Sequence, residues 1–202
     1  MTGRAWIFGA AFAALLVVHT GRPDAAGSAI TGTVKVTGVA SSADAVVYVQ
    51  QAPGAPAAGK VEQMDQRQMQ FIPHVLPIVA GTTVKFRNSD PTPHNVFSPD
   101  NEKYNLGTWP QGQTKDYVFS KCAKPPCVYT QLCRVHPEME GYIVVLQNPY
   151  FAVTGKDGKY EITNVPPGSY TLAVWHQKAK AAPKPVTVAA GTPATVDFIL
   201  SR

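Results

Sequence analysis

An all-β architecture of two packed sandwiches is what this sequence predicts, and three observations predict it. Short runs rich in Val, Ile, Thr, Tyr and Phe alternate with period two along most of the chain. Clusters of Gly, Pro, Asn and Asp interrupt them, and 18 prolines and 16 glycines supply the turns. Beyond the opening apolar stretch, no segment repeats its apolar residues at helical spacing.

The chain opens with a positive residue, Arg4, and an apolar run from Ala5 to Val18 broken only by Gly9. This pattern predicts a secretory signal over residues 1–29, cleaved after Ala26 or Ala29, and a periplasmic or secreted mature protein, with an uncleaved anchor as the alternative. No lipobox cysteine follows the run, and no later apolar stretch is long enough to span a bilayer. Loss of Arg4, Arg22 and Asp24 with the leader lowers the formal charge from +5 to +4. The lysines are scattered apart from a small cluster at Lys178, Lys180 and Lys184, with no aromatic interleaving, so nucleic acid is not expected as a partner. The mild basic balance favours acidic redox partners.

Strands are expected over 30–36 and 45–49, followed by a Pro-, Ala- and Gly-rich loop from Ala52 to Gly59. Six further strands are expected over 61–65, 75–79, 82–88, 114–119, 127–133 and 141–147. The connection from Tyr104 to Pro110 is expected to hold a short turn of helix. A hairpin follows around Asp157-Gly158, between Phe151–Thr154 and Lys159–Ile162. Alternating runs at 164–175, 186–188 and 194–200 complete the chain.

The chemistry concentrates in Leu132-Cys133-Arg134-Val135-His136-Pro137-Glu138-Met139, where Cys, His and Met are spaced C-x2-H-x2-M. A second histidine lies upstream in Pro93-His94-Asn95-Val96. One thiolate, two imidazoles and one thioether form the ligand set of a mononuclear type 1 copper site. Thiolate and thioether suit Cu(I), the imidazoles serve both oxidation states, and a trigonal set with a weak axial Met moves little when an electron leaves.

These motifs resemble the cupredoxins, with amicyanin and plastocyanin the nearest patterns. The stretch Gly81-Thr82-Thr83-Val84-Lys85-Phe86-Arg87-Asn88 is similar to the family strand that precedes the first ligand histidine. The resemblance covers roughly residues 60–147 and implies a copper ion held by His94, Cys133, His136 and Met139. It also implies that His136 is the electron port. Asn95 is expected to hydrogen-bond across to the Cys133 loop, and Pro137 to stiffen that loop. Glu138 departs from the family, whose ports are ringed by apolar residues.

The last third resembles a different family. Its Asp157-Gly158-Lys159-Tyr160 and Val165-Pro166-Pro167-Gly168-Ser169-Tyr170-Thr171-Leu172 stretches are similar to transthyretin-like, carboxypeptidase regulatory-like β-sandwiches. That family also opens with strands like 30–36 and 45–49. Residues 150–202 alone offer few strands to bury a core. The expectation is therefore a discontinuous sandwich from 30–58 and 149–202, with the cupredoxin domain, 59–148, inserted into it. In the rival layout 30–58 extends the cupredoxin domain.

Each reading has a plainer competitor. The three cysteines are an odd number for an exported chain. Cys122 and Cys127 enclose four residues and are expected to form a disulfide, leaving Cys133 free; three free thiols in a reducing compartment is the alternative. His74 and His176 read as structural, and Met64 and Met69 as packing residues. Zinc rarely takes Met. A Cys133–His136 nucleophilic pair lacks an oxyanion element, and a multicopper oxidase lacks its His-x-His pairs among five histidines. The expectation is an electron carrier and not an enzyme, exchanging electrons with a partner protein; copper delivery, buffering or sensing, or a docking module with a secondary copper site, are the alternatives.

Overall fold

The computed structural model describes residues 27–53 and 60–202. Residues 1–26 of the expected leader, and most of the expected loop at 52–59, lie outside the described residues. Two strands open the described chain, β1 (Ser28–Val36) and β2 (Val46–Val49). Nine follow: β3 (Val61–Arg67), β4 (Gln70–Ile72), β5 (Val75–Val79), β6 (Thr82–Asn88), β7 (His94–Ser98), β8 (Tyr104–Trp109), β9 (Thr114–Phe119), β10 (Cys127–Leu132) and β11 (Glu140–Leu146). Six close it: β12 (Phe151–Val153), β13 (Lys159–Val165), β14 (Gly168–Trp175), β15 (Lys184–Val188), β16 (Ala194–Thr195) and β17 (Phe198–Leu200). No helix occurs among the described residues. β1 already includes Ser28 and Ala29, so a cut after Ala26 leaves that strand whole.

The short helical turn expected between Tyr104 and Pro110 is instead strand β8, antiparallel to β7 with Ser98 opposite Tyr104 and His94 opposite Trp109. Gly107, at φ 80°, sits in a conformation that side chains rarely adopt and lets this strand bend. β4 and β7 were not anticipated either. Each is short, and β7 starts at a histidine behind two prolines, which hides its period.

β3 to β11 pair only with one another. They form one sheet in the order β5-β11-β10-β7-β8 and another in the order β4-β3-β6-β9. The ends of the chain build the remaining sheets together. β1 lies between β13 on one side and β16 and β17 on the other, while β2 lies between β12 and β14, with β15 beyond.

Three apolar cores hold four sheets in a stack. Met64, Phe71, Val84, Phe86 and Phe119 meet Ile78, Tyr129, Ile143 and Val145 in one. Ile30, Val34 and Phe198 meet Val47, Leu172 and Val186 in another. The third joins the two sandwiches: Val75, Val144 and Leu146 pack on Val46, Tyr48 and Ala173, with Tyr142, Phe151 and Trp175 at its margin. β11 thus buries both faces, since Ile143 and Val145 point one way and Val144 and Leu146 the other. That is why its sequence, Tyr142-Ile143-Val144-Val145-Leu146, is a continuous apolar run.

At the end of the first core opposite the ligand loop, Glu102 accepts hydrogen bonds from the hydroxyls of Tyr117 at 3.0 Å and Tyr129 at 2.5 Å. Burial would raise this carboxyl, but those hydroxyls and the nearby Lys121 charge hold it below the usual carboxylate range. A depressed carboxylate stabilises the fold above its unfolded pKa, and that contribution is lost as pH falls through the folded value. Stability measured by urea unfolding should therefore drop between about pH 5 and pH 3, and Glu102→Gln should flatten the drop.

Leu146 is 2% exposed and sits in the core between the sandwiches. Leu146→Ala should cost about 2–4 kcal/mol in denaturant unfolding. It should also separate one cooperative transition into two, because it weakens the joint rather than either sandwich alone.

Candidate metal centre

The site is assembled from two chain segments that the β7–β10 pairing brings together. Phe97 of β7 lies opposite Leu132 of β10. This register sets the start of β7, where His94 stands, beside the segment that follows β10, where Cys133 stands. His94 is the first residue of a strand and not a loop residue. The turn before it is held by Asn88, buried at the end of β6. Its amide nitrogen donates to the carbonyls of Thr92 at 2.9 Å and Trp109 at 3.0 Å, and its oxygen accepts from the Asp90 N–H at 2.9 Å.

Three side chains converge. His94 Nδ1 and His136 Nδ1 are 2.9 Å apart, and Cys133 Sγ is 3.9 Å from each. His94 is 0% exposed and Cys133 3%, whereas His136 is half-buried. Met139 is buried in the same core as Cys133, and its N–H donates to the His136 carbonyl at 3.0 Å, closing the loop. Pro137 and Glu138 between them are exposed. Asn95 spans the two segments: its own N–H approaches Cys133 Sγ at 3.4 Å, and its side-chain oxygen accepts from the Arg134 N–H at 3.4 Å. Its amide nitrogen donates to Asn105 Oδ1 at 2.8 Å and the Gly107 carbonyl at 2.7 Å, which locks the side chain.

Asp90 is the residue that sequence reasoning missed. Its Oδ2 lies 2.8 Å from His94 Nε2. A carboxylate there keeps the proton on Nε2 and leaves Nδ1 free to ligate. The same carboxylate accepts the N–H groups of Gln68 at 2.6 Å and Met69 at 2.9 Å. Burial would raise the Asp90 carboxyl, yet these amides and the His94 ring hold it below its usual range. Gln68 and Met69 form the two-residue turn between β3 and β4, both at φ 55°. Such turns normally take Asn-Gly, so the Asp90 carboxylate compensates for a sequence poorly suited to its turn. The only signal in the sequence was an acid four residues before the histidine.

The donor set fits a soft or borderline metal ion. One sulfur and two imidazole nitrogens face a single point, no carboxylate joins them, and the thiol has an N–H directed at it. Cys133 is the free cysteine, and Cys122 and Cys127 are joined in a disulfide. His74 lies apart from the cluster, with Nδ1 3.1 Å from the Glu140 carbonyl and Nε2 3.4 Å from Gln177 Oε1 across the joint. His176 lies in the other sandwich; burial lowers its pKa. Met64 is in the core and Met69 is exposed.

Residues 138–201 match the carboxypeptidase regulatory-like domain. The match spans β11 to β17 and leaves out β1 and β2. No curated protein matches the chain. Among solved structures, a purple cupredoxin from Nitrosopumilus maritimus is similar at 27% identity, over 42% of this chain and 98% of that one, with a TM-score of 0.38. A copper-containing nitrite reductase from Thermus scotoductus is similar at 24% identity, over 49% of this chain and 25% of that one, with a TM-score of 0.40. A reduced tryptophan-to-tyrosine mutant of amicyanin is similar at 23% identity, over 49% of this chain and 97% of that one, with a TM-score of 0.38.

Asp90→Asn keeps the shape of the side chain and removes the charge that orients His94. Cu(II) affinity, measured by competition titration, should fall by about 10–100-fold with the β-sheet circular dichroism retained.

Proposed function

We propose that this is an exported type 1 copper protein that carries single electrons, with His94, Cys133, His136 and Met139 as the ligands and no catalytic activity of its own. The observation that carries the reading is the convergence of two imidazole Nδ1 atoms on one buried thiol, supported from behind by Asp90 and Asn95. Copper, when bound, supplies a one-electron couple. The chain's own residues do the rest. Asp90 and Asn95 fix the ligand side chains in advance, so little rearranges between oxidation states. The apolar core around Cys133 and Met139 keeps water out. His136, the half-buried member of the set, gives the electron its path to a partner protein.

We further infer that residues 59–148 are an inserted domain within a discontinuous sandwich of 30–58 and 149–202. Support comes from β1 and β2, which pair only with strands after Pro149. Asn148 fastens the second crossing by donating to the Val49 carbonyl at 2.8 Å.

Adding Cu(II) to the purified protein should produce the strong visible absorption of thiolate-to-copper charge transfer, and Cys133→Ser should abolish it while the β fold persists. A protein that stays colourless with copper bound, or that holds zinc after native purification, would refute the reading. Rapid loss of copper to a chelator from either oxidation state would favour delivery over electron transfer.

A further inference from the structure

The ligand loop is electrically lopsided. Arg134, directly after Cys133, is exposed, and its guanidinium lies 5.0 Å from the centre of the Phe97 ring. With Lys103, Tyr104 and Asn105 it lines a shallow pocket of about 300 Å³ on the β7–β8 side of the sheet. Neither Arg134 nor Lys103 takes part in an ion pair among the described residues. The acids of the neighbouring turn are already used elsewhere. Asp100 accepts the Thr130 N–H at 2.6 Å, and Glu102 accepts the Tyr117 and Tyr129 hydroxyls. The turn therefore points its carboxylates at the protein's own donors and leaves Lys103, held at φ 53°, facing solvent. On the other side of the loop stand the exposed Glu138 and Glu140, the latter accepting the Tyr142 hydroxyl.

We propose that the Lys103–Arg134 pocket is the docking surface for an acidic segment of the redox partner, an inference that rests on the electron-carrier reading. Two unpaired cations with a fixed aromatic ring beneath one of them match a pair of partner carboxylates. Arg134 is suited to this because its planar guanidinium can bind a carboxylate in two places while resting on Phe97. Glu138 repels the same segment, so the two signs together bias the orientation in which the partner approaches the β7–β8 side of the sheet. Such complementarity acts mainly on the rate of encounter and on partner choice, and salt weakens it.

The test is a titration of the ¹⁵N-labelled protein, metal-free and copper-loaded, with a hexaglutamate peptide. Amide shifts should centre on Lys103, Tyr104, Asn105 and Arg134 and shrink between about 0.01 M and 0.15 M salt. The double variant Lys103→Gln, Arg134→Gln should bind about tenfold more weakly at low salt, while Glu138→Gln binds at least as well as the natural protein. Lys156→Gln, in the second sandwich, should change nothing. Shifts spread over Lys178, Lys180 and Lys184, or equal binding by the double variant, would overturn the docking surface even in a blue protein. Conversely, a protein that never turns blue but binds the peptide at this pocket retains the surface and loses the electron-carrier reading.

Discussion

β11 is buried on both faces, and the rest of the architecture hangs on that constraint. One set of its side chains closes the core around Cys133 and Met139, and the alternate set closes the joint with the second sandwich. A strand with no solvent face cannot slip by one residue without driving two apolar sets into the wrong cores, so its register is fixed from both sides. The ligand loop enters β11 directly at Glu140. Its far end is thereby anchored to a strand packed on both faces. The second sandwich, by covering β11, contributes to the rigidity of a site it does not touch.

Rigidity at the other ligand segment has a different origin. His94 follows a turn rich in proline, and its ring is held from behind by Asp90. That carboxylate also satisfies two backbone N–H groups of the β3–β4 turn, whose Gln68 and Met69 both adopt a left-handed conformation. Left-handed residues other than glycine cost on the order of 1–3 kcal/mol. The turn and the histidine therefore support one another through a single ionised group. Asn95 plays a comparable part by tying β7 to Gly107 and Arg134, and Asn88 holds its own turn while reaching the Trp109 carbonyl.

Much of this was legible before any coordinates. The strands at 82–88 and 114–119 run as the alternation of their residues indicates, because each has one face in a core, whereas 75–79 has Val75 in the core between the sandwiches and Ile78 in the first core. The C-x2-H-x2-M spacing marked the loop, and the Pro-His-Asn stretch marked the second segment. β8 was missed because Tyr104–Trp109 contains a glycine and has only one fully buried residue, Trp109. β4 was missed because three residues carry no period. Asp90 was missed because an acid before a histidine is ordinary until the fold aims the two at each other.

By itself, then, the sequence determined the β class, the turn positions and the residue types that can hold a metal. Those depend on short-range periodicity and on the chemistry of single side chains, which any window of the chain displays. The tertiary structure alone decided the register in which β1 and β2 meet strands more than a hundred residues later, with Ile30 opposite Ile162 and Val47 opposite Ala152. It alone decided that Nδ1 and not Nε2 of His94 faces the thiol, since that choice belongs to Asp90. The physical reason is the same in both cases. Pairing across long chain separations and the orientation of a symmetric-looking ring are set by which surfaces must be buried together, and no local stretch of sequence carries that information.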